Sequence, residues 1–116
     1  MTPFGARLRE MRAARGITLN NMARDLKISA AYLSALEHGR RGSPSWRLVQ
    51  DVITYFDVIW DDAEELERLA RLSHPRIVID TAGLDPKATE LANRLAREIA
   101  KLPVDKLEQL LCALKT

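Results

Sequence analysis

The sequence predicts an all-α protein, and three observations carry that expectation. Apolar residues recur at intervals of three and four along most of the chain. Helix-capping residues (Thr18, Ser29, Ser45, Asp61 and Asp85) precede these stretches, and Gly16, Gly39 and Pro75 follow them. The β-branched triplet Ile77-Val78-Ile79 lies outside these helical stretches, so Arg76–Asp80 is the one candidate strand.

In the first helix Phe4, Leu8 and Met11 share a face at i, i+4 and i+7, while Arg7, Arg9, Arg12 and Arg15 lie mostly off it. Gly16 stops it, because glycine accepts the left-handed conformation beyond a helix end. Thr18 caps a second helix, Thr18–Asp25, that buries Met22, Ala23 and Leu26. Ser29 caps a third, Ser29–His38, with Leu33 and Leu36 on one face and Gly39 at its end. Arg40-Arg41-Gly42-Ser43-Pro44 reads as a basic, flexible loop. Ser45 caps a fourth helix with Leu48, Val49, Val52, Ile53 and Phe56 on its apolar side. Asp61 and Glu64 form a capping-box pattern for a fifth, which carries Ala63, Leu66, Leu69 and Ala70 and ends at His74-Pro75. Asp85 and Pro86 open a sixth helix, with Ala88, Leu91, Leu95 and Ile99 facing inward. Pro103 restarts the chain into a last helix with Leu107, Leu110, Leu111 and Leu114. There is no internal repeat.

The 116 residues suffice for one domain, or for a small domain plus an extension. An apolar fraction of 47% can fill a core, and 29% charged residues keep such a chain soluble. No apolar run approaches the roughly 18–20 residues of a membrane span. The opening MTPFGARLREMR lacks the apolar stretch of a signal peptide. The expectation is a cytoplasmic, nucleoid-associated protein. The single Cys112 excludes an internal disulfide and, among Leu110, Leu111 and Leu114, reads as a core residue.

Catalysis finds no support. His38 and His74 stand in unrelated contexts, and with one cysteine they make no metal-ligand spacing. There is no phosphate-cradling glycine loop. Asp61, Asp62, Glu64 and Glu65 gather at a helix start, where they favour the helix dipole. The expectation is a non-enzyme without metal or cofactor.

The net charge of +2 hides an imbalance. Residues 1–57 carry nine Lys/Arg against five Asp/Glu, a balance of +4; residues 58–116 carry nine against eleven, a balance of −2. The first half suits a polyanion.

Two short helices around a tight turn, Thr18–Asp25 and Ser29–His38, have helix-turn-helix proportions. Ala23 is small where crossing helices approach, and Ile28 and Leu33 pin the second helix to the first. Leu8, Arg12, Gly16-Ile17-Thr18, Met22-Ala23, Leu26, Ile28-Ser29, Leu33, Leu36-Glu37, Gly39 and Pro44-Ser45 follow in one order. On these residues the sequence resembles the Cro/phage-repressor type of helix-turn-helix protein, the XRE family, over roughly Leu8 to Phe56. The resemblance implies a lambda-repressor-like five-helix DNA-binding domain, placed at residues 1–57, with double-stranded DNA as partner. Two departures stand out. Lys27 occupies a turn position where glycine is usual. Leu19 replaces a glutamine that touches a phosphate in relatives, so that contact is either missing or made by Asn20 or Asn21.

In this type of protein the start of the second helix of the motif enters the major groove. The resemblance thus puts Ala30, Ala31, Ser34 and Ala35 against bases, with Ser29 and Tyr32 at the margin. Alanine methyls can pack on the thymine methyl, and much of the specificity then passes through DNA shape. Arg40 and Arg41 are the leading phosphate contacts, with Thr18, Lys27, His38 and Arg47 as further candidates. An ion pair between Arg12 and Glu37 is also implied, fixing the first helix against the third.

One such module reads few base pairs, and a twofold dimer places two recognition helices one DNA turn, about 34 Å, apart. Residues 58–116 are the expected helical dimerisation extension. Leu91, Leu95, Ile99, Leu107, Leu110, Leu111 and Leu114 would bury against a twofold mate, and strand Ile77–Ile79 would pair with its copy. The expected function is a homodimeric repressor on an inverted-repeat operator. Two alternatives are an antitoxin that represses its own operon and binds a toxin, and a protein-interaction module on the same fold. A toxin or polymerase as protein partner is left open.

Overall fold

In a computed structural model, which describes residues 1–115, the chain forms seven α-helices and one 3-10 turn. Helix α1 (Pro3–Arg15) begins before its apolar stripe does. The Thr2 hydroxyl caps it by accepting from Gly5 N–H, and Pro3 occupies the first turn, where its missing donor costs nothing. Gly16, at φ 65°, closes it in the left-handed conformation. The caps of α2 (Leu19–Asp25), α3 (Ala30–Glu37) and α4 (Trp46–Phe56) are the serines and threonine read from the sequence. Thr18, Ser29 and Ser45 each accept from the amide three residues on.

Helix α5 (Trp60–Arg71) departs from expectation. Its N-cap is Ile59, which makes no side-chain cap, so the capping box of Asp61 and Glu64 does not form. Trp60, at φ 54°, turns the chain into the helix two residues earlier than an Asp61 cap would. Asp61 and Asp62 then lie inside the first turn, where their charge still favours the dipole.

The core takes one residue set from each of the first five helices: Phe4 and Leu8, Met22 and Ala23, Leu33 and Leu36, Leu48, Val49, Val52 and Phe56, Leu66 and Ala70. Met11, Leu26, Ile53 and Leu69 pack around it, half-buried. Polar bonds lock the helix ends. Arg15 Nη2 donates to the Phe56 carbonyl at 2.6 Å, and its guanidinium lies 5.3 Å from the Phe56 ring centre. The Tyr55 hydroxyl donates to Asp25 Oδ2 at 2.9 Å. Burial, then this bond, raises the Tyr55 phenol above its ordinary 10.0.

The chain divides into two compact units, Met1–Ile77 and a second beginning at Val78. The sequence reading closes the first domain at residue 57, but the compact unit continues through α5. Leu66 and Ala70 complete the apolar core, and Ser73 is sealed into it at 1% exposure. Across Met1–Ile77 the count is twelve Lys/Arg against ten Asp/Glu, a balance of +2. The positive excess therefore belongs to the α1–α4 segment, with the acidic α5 inside the same unit.

The second unit holds α6 (Pro86–Glu98), the 3-10 turn Ile99–Lys101 and α7 (Val104–Ala113). Asp85 caps α6 by accepting from Lys87 N–H at 2.8 Å, with Pro86 in the first turn. Among the described residues none of α6 or α7 is buried. Ala88, Leu95 and Leu107 are half-buried; Leu91 and Ile99, expected to face inward, are exposed. Cys112 is exposed as well, not a core residue, because α7 has no core of its own to bury it in. No strand forms among the described residues: Ile77, Val78 and Ile79 are 67%, 95% and 56% exposed. β-branched residues favour a pleated surface only where a neighbouring strand supplies it, and none does here. No described helix is long and apolar enough to cross a membrane.

Candidate nucleic-acid interface

Helix α3 carries two different faces. Leu33, Leu36 and Glu37 are buried. Ala31, Ser34, Ala35 and His38 stand at i, i+3, i+4 and i+7, so they share the outward face. Ala31 and His38 are exposed, and Ser34 and Ala35 half-buried. Ala30 and Tyr32, also read as base-facing, pack partly against the core. Ser29 is exposed, but its Oγ accepts from Tyr32 N–H at 3.0 Å and so serves the helix start.

Cations border this stripe at both ends of α3 in sequence. Lys27 precedes it in the turn, at φ 61°, the conformation that glycine would take without strain. Arg40 and Arg41 follow it. All three are exposed, and none forms an ion pair among the described residues. Arg47 differs: its Nε lies 3.6 Å from Asp51 Oδ1, an exposed pair in which the carboxylate competes with any phosphate. Thr18 is spent on capping, and Asn21 Oδ1 accepts from Arg24 Nη2 at 3.1 Å, while Asn20 is exposed. His38 Nδ1 donates to the Ser34 carbonyl at 2.8 Å, which leaves Nε2 as its free nitrogen.

The far end of α3 is held by groups that meet only in the fold. Arg12 and Glu37 form the implied ion pair, with Arg12 Nη2 3.3 Å from Glu37 Oε1 and both residues buried. Gly5 lets α1 approach the end of α3: an added Cβ would overlap the Glu37 carbonyl and stand 2.6 Å from its Cα. Thr2 N–H donates to that carbonyl at 3.0 Å. Ser73, on the exit from α5, accepts from Phe4 N–H at 2.9 Å.

Sequence reading missed Thr2, Gly5 and Ser73. Thr2-Pro3 was legible as a cap followed by a first-turn proline, and a glycine inside a helix signals close backbone approach. Ser73 has no such signal. The two histidines, placed in unrelated contexts by sequence, line one shallow cleft of about 270 Å³ together with Thr2, Gly39 and Pro75. The ends of α3 and α5 converge there.

A family profile described as Helix-turn-helix domain matches residues 3–69, from the start of α1 into the last turns of α5. The chain is similar to RghRB, an uncharacterized HTH-type transcriptional regulator of Bacillus subtilis (strain 168). Identity is 37% over 62 residues, which are 53% of this chain and 45% of the relative, so the chain spans less than half of the relative's length. No solved structure matches.

Proposed function

The chain belongs to the helix-turn-helix domain family, and from that premise we propose that it is a DNA-binding transcriptional regulator. The observation that carries this reading is the outward stripe Ala31, Ser34, Ala35 and His38, bordered by three exposed cations that form no ion pair among the described residues. In this reading α3 enters the major groove, and its small side chains let the backbone sit deep. The methyls of Ala31 and Ala35 read thymine, and the Ser34 hydroxyl serves as donor or acceptor at a base edge. Lys27, Arg40 and Arg41 fix the register on phosphates, and sequence-dependent DNA shape supplies the rest of the specificity. Ala30 and Tyr32 support the helix from its core side.

The second unit is read as the means of dimerisation. Leu91, Ile99, Leu110, Leu111 and Leu114 are apolar and exposed, and a twofold copy that covers them would place two α3 helices on an inverted repeat. Bound across a promoter, such a dimer represses. A footprint on the DNA upstream of the protein's own gene, at about 150 mM salt, tests the whole reading. Two protected half-sites about 34 Å apart support it. Uniform, weak protection of all sequences would favour a protein-interaction role on the same fold, since alanines offer no hydrogen bonds. Replacing Arg40 and Arg41 by alanine should weaken binding to every sequence and lower the salt slope by about two per protomer. Ser34→Ala should instead alter which sequences are preferred.

A further inference from the structure

We propose that Thr2 and Ser73 are positioning residues for the C-terminal end of α3, from which the Arg40–Arg41 loop leaves, an inference that rests on the regulator reading above. Neither belongs to the outward stripe, and both are buried, at 8% and 1% exposure. Each hydroxyl both donates and accepts. Ser73 Oγ donates to the Leu69 carbonyl at 2.6 Å and accepts from Phe4 N–H at 2.9 Å. Phe4 N–H is one of the amides that a helix start leaves without an intrahelical partner, so the exit of α5 holds the first turn of α1. The next amide, Gly5 N–H, donates to Thr2 Oγ1 at 3.0 Å. Thr2 in turn donates its own N–H to the Glu37 carbonyl at 3.0 Å, and its hydroxyl stands 3.4 Å from the same oxygen. Glu37 ends α3, and its carbonyl is one of those a helix end leaves free. Hydrogen bonds thus run from α5, through the first turn of α1, to the last turn of α3.

Apolar contact continues the same seam. A Cβ added at Gly39 would stand 3.2 Å from Thr2 Cγ2 and 3.4 Å from Pro75 Cβ. The turn that leads into Arg40 and Arg41 is therefore seated between the residue before α1 and the segment after α5. Base contacts and phosphate contacts must be made in one register. The stripe lies on α3 itself, whereas Arg40 and Arg41 leave it through Gly39. Whatever fixes Glu37 and Gly39 fixes the offset between reading and positioning. The Arg12–Glu37 pair holds the side chain of Glu37; Thr2 holds its backbone, and Ser73 holds the first turn of α1 that carries Thr2's cap.

The test uses the full chain and a duplex selected by the wild type from a random pool. Thr2→Val keeps the shape of the side chain but removes its hydroxyl; Thr2→Ser keeps the hydroxyl; Ser73→Ala removes the other link. Binding is measured across a salt series at a temperature where circular dichroism shows each variant folded. Thr2→Val and Ser73→Ala should bind about fivefold more weakly or worse and lose about one unit of salt slope, and Thr2→Ser should restore both. The Gly39 and Arg40 amide resonances should move in the two weakened variants. A merely structural role lowers the melting temperature but leaves affinity and salt slope of the folded protein unchanged, and that result overturns the proposal. If Ser73→Ala does not fold, the Thr2 pair decides alone. If the wild type selects no duplex, the regulator reading fails and the inference falls with it. Should the wild type bind while both variants bind equally well, only the inference falls.

Discussion

The two compact units are built from similar helices and reach opposite states of burial. Helices α4 and α6 both begin at a side-chain cap and carry apolar residues at helical spacing. Four residues of α4 are buried and none of α6 is. The difference is not in the local sequence but in the number of neighbours. The apolar side of α4 meets a core to which every helix from α1 to α5 contributes, while the unit of α6 and α7 has too little chain to build one. Units below about 40 residues seldom reach stability on their own apolar burial. A helical pattern specifies a helix with one apolar side; it does not specify what covers that side.

The largest test of this contrast compares ion pairs. Arg12→Met leaves Glu37 charged, buried and without its partner, and should cost about 3–5 kcal/mol in urea unfolding. Arg94→Met removes a partner of Glu90 from an exposed i,i+4 pair in the second unit and should cost less than about 0.5 kcal/mol. Comparable losses would mean that the second pair is covered in solution. Apolar truncations give the next step. Leu33→Ala should lose about 2–5 kcal/mol. Leu111→Ala, at 61% exposure, should leave the first unit's unfolding within about 0.5 kcal/mol of wild type. If a second copy covers Leu111, sedimentation at tens of micromolar should show the variant as a monomer and the wild type as a dimer. A wild type that sediments as a monomer would sink the dimer reading.

Smaller effects sharpen the description of the first unit. Tyr55→Phe removes the bond to Asp25 and should cost about 1 kcal/mol near neutral pH. The phenol is raised in the folded protein, so the stability tied to its neutral form is fully present below pH 10.0 and is lost as pH rises through the folded-state value. Alkaline unfolding of Tyr55→Phe should therefore have a shallower limb above pH 10 than that of the wild type. The smallest effect is a gain. Lys27→Gly relieves the left-handed turn and should stabilise by about 0.5–1 kcal/mol, and on the proposed reading it should also weaken DNA binding.

Much of the first unit was legible from a few residues at a time. Thr18, Ser29 and Ser45 cap their helices because a hydroxyl reaches an amide three positions away, whatever else the chain does. The strained turn at Lys27 was visible as a departure from a family pattern. The fifth helix was legible but its start was not: Asp61 and Glu64 have the right spacing for a capping box, yet Trp60 turns the chain before them. Residues Ile77–Ile79 show the limit of propensity, since a strand is a property of a pair. For the candidate site, the family resemblance pointed to α3 and to Ala31, Ser34 and Ala35 on it, while the half-burial of Ala30 and Tyr32 depended on packing.

The sequence by itself determined the helices, the caps of α2, α3, α4 and α6, the basic loop after α3 and the apolar stripes, because each depends on residues within about one turn of one another. The tertiary structure decided that α5 belongs with α1–α4, that His38 and His74 line one cleft, and that α6 and α7 are left exposed. It also decided what holds the end of α3. The Thr2 and Glu37 groups that meet there are 35 positions apart, and those of Phe4 and Ser73 are 69 apart. Contacts at such separations follow from how helices stack over a shared core, and no local pattern records them.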